Sequence, residues 1–589
     1  MGKRTLRVLA TGALGFGLLA AGLSSNVSAK DNLVFSVGVT QDIDSLNVTA
    51  GYLVVDFEIW NLTLPTLTDL AAEDFSILPS MAESWTGSDD GLTWTYKLRD
   101  GLMWSDGKPM TADDVVYTIT RAVEEGWVNH TSTLANITAT AIDVGTVQLV
   151  SAIPDPKLPG LGVYILPKHI YEKISAEDLP NYPADDNVSG GPFQIVERKE
   201  GEFVRLAQNP NWYGKKPVID QVIFRFYETA EAQFNALKAG DLDAIDDVPV
   251  KVFTSVEQGE VENLIGIAGN QGSFSELAIN NSCASGIGDG HVALKDRKVR
   301  QAINWAIDRQ LLVDKLLNGF GTPAVSLIPS ANPAFDLKID ADQAYSYDPG
   351  KAKALLDEAG WKDSNGDGVR DKDGIELKLR YFDRSTAGAS ATTPFITGWL
   401  KDVGIATDVK TLDEDSLIAE QSKSAFDLYT WGWTPYVDPD NMLSYFTTAQ
   451  VPTDPEVGGY NDANWCNKEY DELYAKQNAE LDPVKRSELI QQMHQIFFED
   501  AAYAVLYKYD NLQAFRSDRW QNFTRQPANV GPVLFTNTSP VYRDIEPVGA
   551  EKNGGGTNSL VVVLVALGVI GGIVMAFVSR RKKSADDRQ

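Results

Sequence analysis

Residues 77–123, ILPSMAESWTGSDDGLTWTYKLRDGLMWSDGKPMTADDVVYTITRAV, decide the reading of the chain. From Leu92 to Leu98 the residues alternate, with Leu92, Trp94, Tyr96 and Leu98 on one side and Thr93, Thr95 and Lys97 on the other. That is the period of a half-buried strand. Asp100-Gly101 and Asp106-Gly107 mark two turns. Thr111 then precedes Asp114 by three residues, the start of a capping box, and Val115, Val116, Ile119, Ala122 and Val123 share one helical stripe. A strand, a turn and an amphipathic helix follow in order.

Working outward, 589 residues are too many for one hydrophobic core and predict two or more domains. A formal net charge of −29 makes nucleic acid and anionic lipid surfaces poor partners. Residues 1–29 carry Lys3, Arg4 and Arg7, an apolar run and Val27-Ser28-Ala29, the pattern of a secretory signal. No Cys ends that signal, so lipid attachment is not expected. At the other end, Leu560–Val578 holds no charge and is long enough to cross a hydrocarbon core of about 30 Å. Arg580, Arg581, Lys582 and Lys583 follow it, which predicts a cytoplasmic tail over 579–589 and an extracellular body. Residues 546–559, with Gly554-Gly555-Gly556, form the linker. The expected location is the cell membrane, single-pass, with the body on the outer face.

The run AESWTGSDDGLTWTYKLRDGLMWSDGKPMTADDVVYTI resembles the signature of the extracellular solute-binding proteins of family 5, the oligopeptide-, dipeptide- and nickel-binding components of ABC importers. SGGPFQIVE with NPNWYGKKPVIDQVIFRF, LKDRKVRQAINWAIDRQLL and DPGKAKALLDEAGW resemble the same family in the same order. The resemblance implies an α/β, two-lobed periplasmic-binding-protein-like fold of the large peptide-binding class. Residues 30–60, 189–275 and 515–545 would be lobe 1, 61–188 an extra subdomain on it, and 276–514 lobe 2. It implies a monomer whose partners are a peptide or similar solute, permease subunits and their ATPases. No cofactor is required.

The rest of the chain is α/β in pattern. Asn32–Val39 and Val218–Phe226 alternate as strands, and one helical face runs from Val299 to Leu317. A helix opens at Asp348-Pro349 and stops at Gly360. Strands at Ile375–Tyr381, Ile405–Val409 and Phe426–Trp431 alternate with helices in the βαβ manner. Helices over 467–480 and 482–499 lead to a crossing strand at Ala504–Tyr507. Two lobes joined by crossing segments imply a hinge and a cleft.

The four histidines show no HExxH or metal-ligand spacing, and no GxSxG or SxxK nucleophile motif occurs. A secreted hydrolase acting on carbohydrate or peptide is the alternative function, requiring two facing carboxylates in the cleft. Cys283 and Cys466 are either one disulfide or two buried thiols; an exported chain favours the bond. Asp363, Asn365, Asp367, Val369 and Asp371 occupy calcium-loop positions, but Gly374 stands where the bidentate Glu belongs. A structural calcium and a plain Asx-rich turn both fit. Thr430–Phe446 resembles the family segment whose Asp pairs with a peptide's free α-amino group. Here Pro435-Tyr436 stands there, with Asp438 nearest downstream. Trp431, Trp433, Tyr436 and Asp438 are the candidate ligand residues, the aromatics fitting a stacking wall and a lobe core equally.

Overall fold

The opening stretch folds as its pattern predicts. Thr93–Leu98 is a strand with Tyr96 and Leu98 buried. The helix is Ala112–Glu125; Thr111 Oγ1 accepts from the Asp113 N–H, and the Asp114 carboxylate accepts from the Thr111 N–H at 2.8 Å. Val115, Ile119 and Ala122 are buried, whereas Val123 reaches solvent. This strand belongs to an antiparallel sheet ordered Ala82–Gly87, Thr93–Leu98, Thr146–Ser151, Ile137–Asp143. Trp104 is fully buried in its core and Trp85 and Trp94 pack against it, so these tryptophans are structural.

The computed structural model describes residues 32–549, apart from 42, 44–45, 52, 128–133, 135, 185–187, 271, 284–285, 328–334, 336, 341–342, 386, 436, 457 and 535–536. The signal 1–29, linker residues 550–559, the segment 560–578, the tail 579–589 and Tyr436 lie outside the described residues. Among the described residues no helix is long and apolar enough to cross a membrane.

Two larger sheets build the two lobes. The first has seven strands in the order Leu264–Gly269, Asn511–Arg516, Ala244–Ile245, Val34–Val39, Gln221–Phe226, Phe203–Gln208, Phe193–Lys199. Val34–Val39 pairs in parallel with both neighbours, Val37 standing opposite Phe224 and Ala244. From Phe35 onward it is buried on both faces, not on alternate residues as expected, because a central parallel strand is covered on both sides.

The second sheet has six strands, Gly321–Pro323, Tyr503–Tyr509, Phe274–Ile279, Leu428–Trp433, Lys378–Arg384, Ala406–Leu412. Lys378–Arg384 pairs in parallel with both of its neighbours. One face packs on Leu277, Ile279 and the helices near Val299 and Leu356; the other packs on Phe274, Ala278, Phe446 and Phe497. The Pro349–Glu358 helix is capped by Asp348, and the chain turns away at Gly360, whose φ of +85° lies in the left-handed region.

Two expectations are corrected. The face from Val299 to Leu317 belongs to two helices, Arg297–Ala306 and Arg309–Leu316, because Asp308 caps a new start by accepting from the Leu311 N–H at 2.9 Å. The crossings between sheets fall at 270–273 and at Asp510, not at 275/276 and 514/515. Ladder pairing sets them: Tyr503–Tyr509 pairs only in the second sheet and Asn511–Arg516 only in the first.

Candidate functional site

Strand direction places the site. Leu264–Gly269 is antiparallel to Asn511–Arg516, which is antiparallel to Ala244–Ile245, itself parallel to Val34–Val39. The strand that leaves the first sheet at Gly269 therefore runs with the parallel strands, and their carboxyl ends face the second lobe. By the same logic Tyr503–Tyr509 and Leu428–Trp433, both antiparallel to Phe274–Ile279, point their carboxyl ends at the first lobe. The carboxyl edges of two α/β sheets thus meet across two crossing segments, the place where such sheets bind ligands. The crossings are tied together, the Tyr509 N–H donating to the Ser273 carbonyl at 3.2 Å and the Asp510 N–H to the Phe320 carbonyl at 3.3 Å.

On the first lobe, the edge carries Asp246 and Asp247 directly after Ala244–Ile245. Gln513 donates to Asp246 Oδ1 at 2.8 Å, and its own carbonyl accepts the Val533 and Leu534 N–H groups. Burial pushes both carboxyls up from their ordinary range; Asp247 is raised further by Glu231.

On the second lobe, Trp431 and Trp433 are half-buried at the end of their strand. Gly432 between them is required by a close approach, since a Cβ there would lie 2.9 Å from the Phe274 carbonyl. The Arg384 guanidinium sits 4.4 Å above the Trp431 ring. Trp433 packs on Tyr445 with centroids 5.2 Å apart, and Tyr445 stacks on the exposed Tyr460 at 4.9 Å, so the tryptophans continue into an aromatic row toward solvent. Glu276 lies opposite Trp431, fully buried. Burial first, then the nearby Asp462, pushes its carboxyl well above the usual range.

Of the residues picked from sequence, Trp431 and Trp433 stand together at this edge. Asp438 does not offer a free carboxylate: Arg486 Nη1 and Nη2 hold its two oxygens at 2.7 Å each, in the planar fork that guanidinium and carboxylate favour. Burial alone would raise its pKa, and the Arg486 pair more than offsets that and leaves it lowered. Cys283 and Cys466 are bonded, with Cα atoms 5.6 Å apart. The bond pins Asn461–Cys466, the segment that carries Asp462.

In the loop from Asp363 the side-chain oxygens accept from the loop's own amides. Asp363 takes the Gly366 and Gly368 N–H groups at 2.7 and 3.0 Å, Asn365 takes Asp367 N–H, Asp367 takes Val369 N–H, and Asp371 takes Ser364 N–H. These are the hydrogen bonds of an Asx-rich turn. Among the described residues no group of three or more His, Cys, Asp or Glu is disposed to hold a metal ion. A groove lined by Asp363, Asp367, Arg370 and Lys401 lies beside Ala406, at the opposite end of the strands from the cleft.

Sequence reading did not find Glu276, Arg384, Tyr445, Tyr460 or Asp462. One signal for the first was available: Glu276 is the lone charge in the otherwise uncharged strand FSELAI. The small subdomain supplies another link between the halves. Lys157 Nζ lies 3.1 Å from Asp440 and donates to Asn478 Oδ1 at 2.7 Å.

A family model described as bacterial extracellular solute-binding proteins, family 5 Middle, matches residues 76–453. The oligopeptide-binding protein AppA of Bacillus subtilis is 28% identical over 535 residues, covering 86% of this chain and 93% of its own length. The nickel-binding periplasmic protein of Escherichia coli is 27% identical over 424 residues, 68% of this chain and 76% of its own. Among solved structures, AppA from Bacillus subtilis in complex with a nonapeptide superposes with a TM-score of 0.68 at 25% identity, covering 84% of this chain and 96% of that one. NikZ from Campylobacter jejuni, in complex with Ni(L-His), shares the fold with a TM-score of 0.72 at 23% identity, covering 87% and 99%.

Proposed function

Because the chain belongs to family 5 of the bacterial extracellular solute-binding proteins, whose members bind substrates and are not enzymes, we propose that it captures a peptide or similar small solute between its lobes and delivers it to the permease subunits and ATPases of an ABC importer. The observation that carries this reading is the meeting of two carboxyl sheet edges across paired crossings, with half-buried Trp431 and Trp433 on one wall. An open form admits the solute, and closure about the crossings buries it. Trp431, Trp433 and Tyr436 stack on the solute, and the segment 560–578 tethers the body outside the membrane.

Among the described residues, which leave out His130, the histidines favour a peptide over a nickel complex. His494 is buried and its pKa is pushed down to about 3 by burial and by Lys508, which keeps it neutral and out of reach. His169 is paired with Asp106, and the His291 ring is engaged with the Glu376 carbonyl. Calorimetry with a peptide library tests the proposal. Peptides are expected to bind reversibly and be recovered intact after long incubation, and Trp433→Ala is expected to weaken binding about tenfold. Recovery of cleaved peptide, or affinity indifferent to Trp433, would overturn it.

A further inference from the structure

The layer of the second lobe behind Trp431 and Trp433 carries more polar valence than its own contacts use. Glu276 is 0% exposed, and neither carboxylate oxygen has a hydrogen-bond partner among the described residues. Asp462 is 4% exposed; its Oδ2 accepts from the Tyr429 hydroxyl at 3.0 Å, while Oδ1 has no partner. Trp433 Nε1 is buried without an acceptor in the same layer. Glu276 sits two residues in from Phe274, where the strand begins at the cleft edge, and opposite the half-buried Trp431. The cation that acts on it is Arg384, which also leans on Glu414 at 3.5 Å. Neither buried acid is in an ion pair among the described residues, and Lys508, a second buried cation of this layer, acts on His494. The facing wall repeats the sign with Asp246 and Asp247.

A buried carboxylate without donors is unfavourable, and such groups persist in folded proteins where a partner arrives from outside. We propose that Glu276 and Asp462 form a cation subsite of the cleft, taking an ammonium or guanidinium group of the solute beside the Trp431 face. Two carboxylates are too few for a dedicated metal cage, whereas an organic cation needs only acceptors and an aromatic surface. The group has two possible sources, the free amino terminus of a peptide or a Lys or Arg side chain. The inference rests on the solute-binding reading above.

Calorimetry on the purified full-length chain tests it with matched pairs. Ala-Lys-Ala is compared with Ala-norleucine-Ala, each free and N-acetylated, and 1,5-diaminopentane is compared with 1,5-pentanediol. The expected result is at least a tenfold preference for the cationic member of a pair. Glu276→Gln should bring that ratio to within about threefold, and Asp462→Asn, which also serves if the first variant does not fold, should reduce it. Loss on acetylation assigns the cation to the amino terminus; loss on removing lysine assigns it to the side chain. Equal affinity within every pair, a preference untouched by both variants, or no binding of any cation would overturn the subsite. Peptides that bind without charge preference sink the subsite alone. A Glu276-dependent preference for the diamine with no peptide binding sinks the peptide reading alone.

Discussion

Arg309 and Glu276 are both buried in the second lobe, on opposite faces of the same six-stranded sheet. Arg309 Nε donates to the Val505 carbonyl at 2.6 Å, Nη1 to the Asn304 carbonyl at 3.0 Å and Nη2 to Asn304 Oδ1 at 2.7 Å. Nearby, Arg300 donates to the carbonyls of Leu294 and Asp500. Both arginines are lowered to about 10 by burial, yet remain charged and fully engaged. Across the sheet Glu276 has no donor, Asp462 uses one oxygen, and His494 Nε2 and Tyr503 OH lack partners among the described residues. Buried charge on the first face stitches helix to strand. On the second face buried acids, a histidine and a tyrosine are left with unused hydrogen-bonding capacity.

The harshest test of that contrast removes the bond that pins the Asp462 segment. Cys283→Ser with Cys466→Ser opens a loop of 183 residues and is expected to cost about 5 kcal/mol by chain entropy, read as a fall in the urea midpoint. Next, Arg309→Met leaves three acceptors unpaired and should destabilise by about 3 kcal/mol. Glu276→Gln should do the reverse, stabilising by about 1 kcal/mol, as replacement of a strained functional group often does. If both substitutions destabilise alike, the two faces do not differ in kind.

Asp462 supplies a pH signature. Burial raises its pKa to about 7, above the ordinary value near 4, so the folded protein favours the neutral acid. The stabilisation is complete below about pH 4 and is lost as pH rises through 7. Asp462→Asn should flatten that part of the stability profile; an unchanged slope between pH 4 and 7 would place the titration elsewhere. The smallest effect is expected outside the sheet. Lys157→Met breaks the bridge to Asp440, whose partners are 21% and 20% exposed, and should cost less than about 1 kcal/mol.

Local signals wrote much of this fold into the chain. Thr111 with Asp114, Asp348 with Pro349, and Gly360 each settle their own backbone within a few residues, so pattern and structure agree there. The break at Asp308 was missed because the apolar stripe continues across it; a single N-cap outweighed a continuous pattern. The site was harder to see. Trp431 and Trp433 announce themselves by composition, but Glu276 and Asp462 lie 186 positions apart and meet only through pairing across Leu428–Trp433 and the disulfide at Cys466. Asp438 was misleading for a related reason: its partner, Arg486, is a helix residue 48 positions away. Proximity created by sheet register is not carried by spacing along the chain.

Strand Asn511–Arg516 lies between Leu264–Gly269 and Ala244–Ile245 in the first sheet. A chain synthesised only as far as Glu499 possesses six of the seven strands of that sheet and lacks the one that joins its two parts. The hydrophobic side chains Leu512, Ala514 and Phe515, which fill the core on either side, arrive only after the whole second sheet. Assembly of the amino-terminal lobe therefore waits on residues close to the carboxyl terminus, and contacts of such long sequence separation form slowly. A polypeptide that cannot complete its first lobe early stays threadable for longer than one whose lobes are each contiguous in sequence.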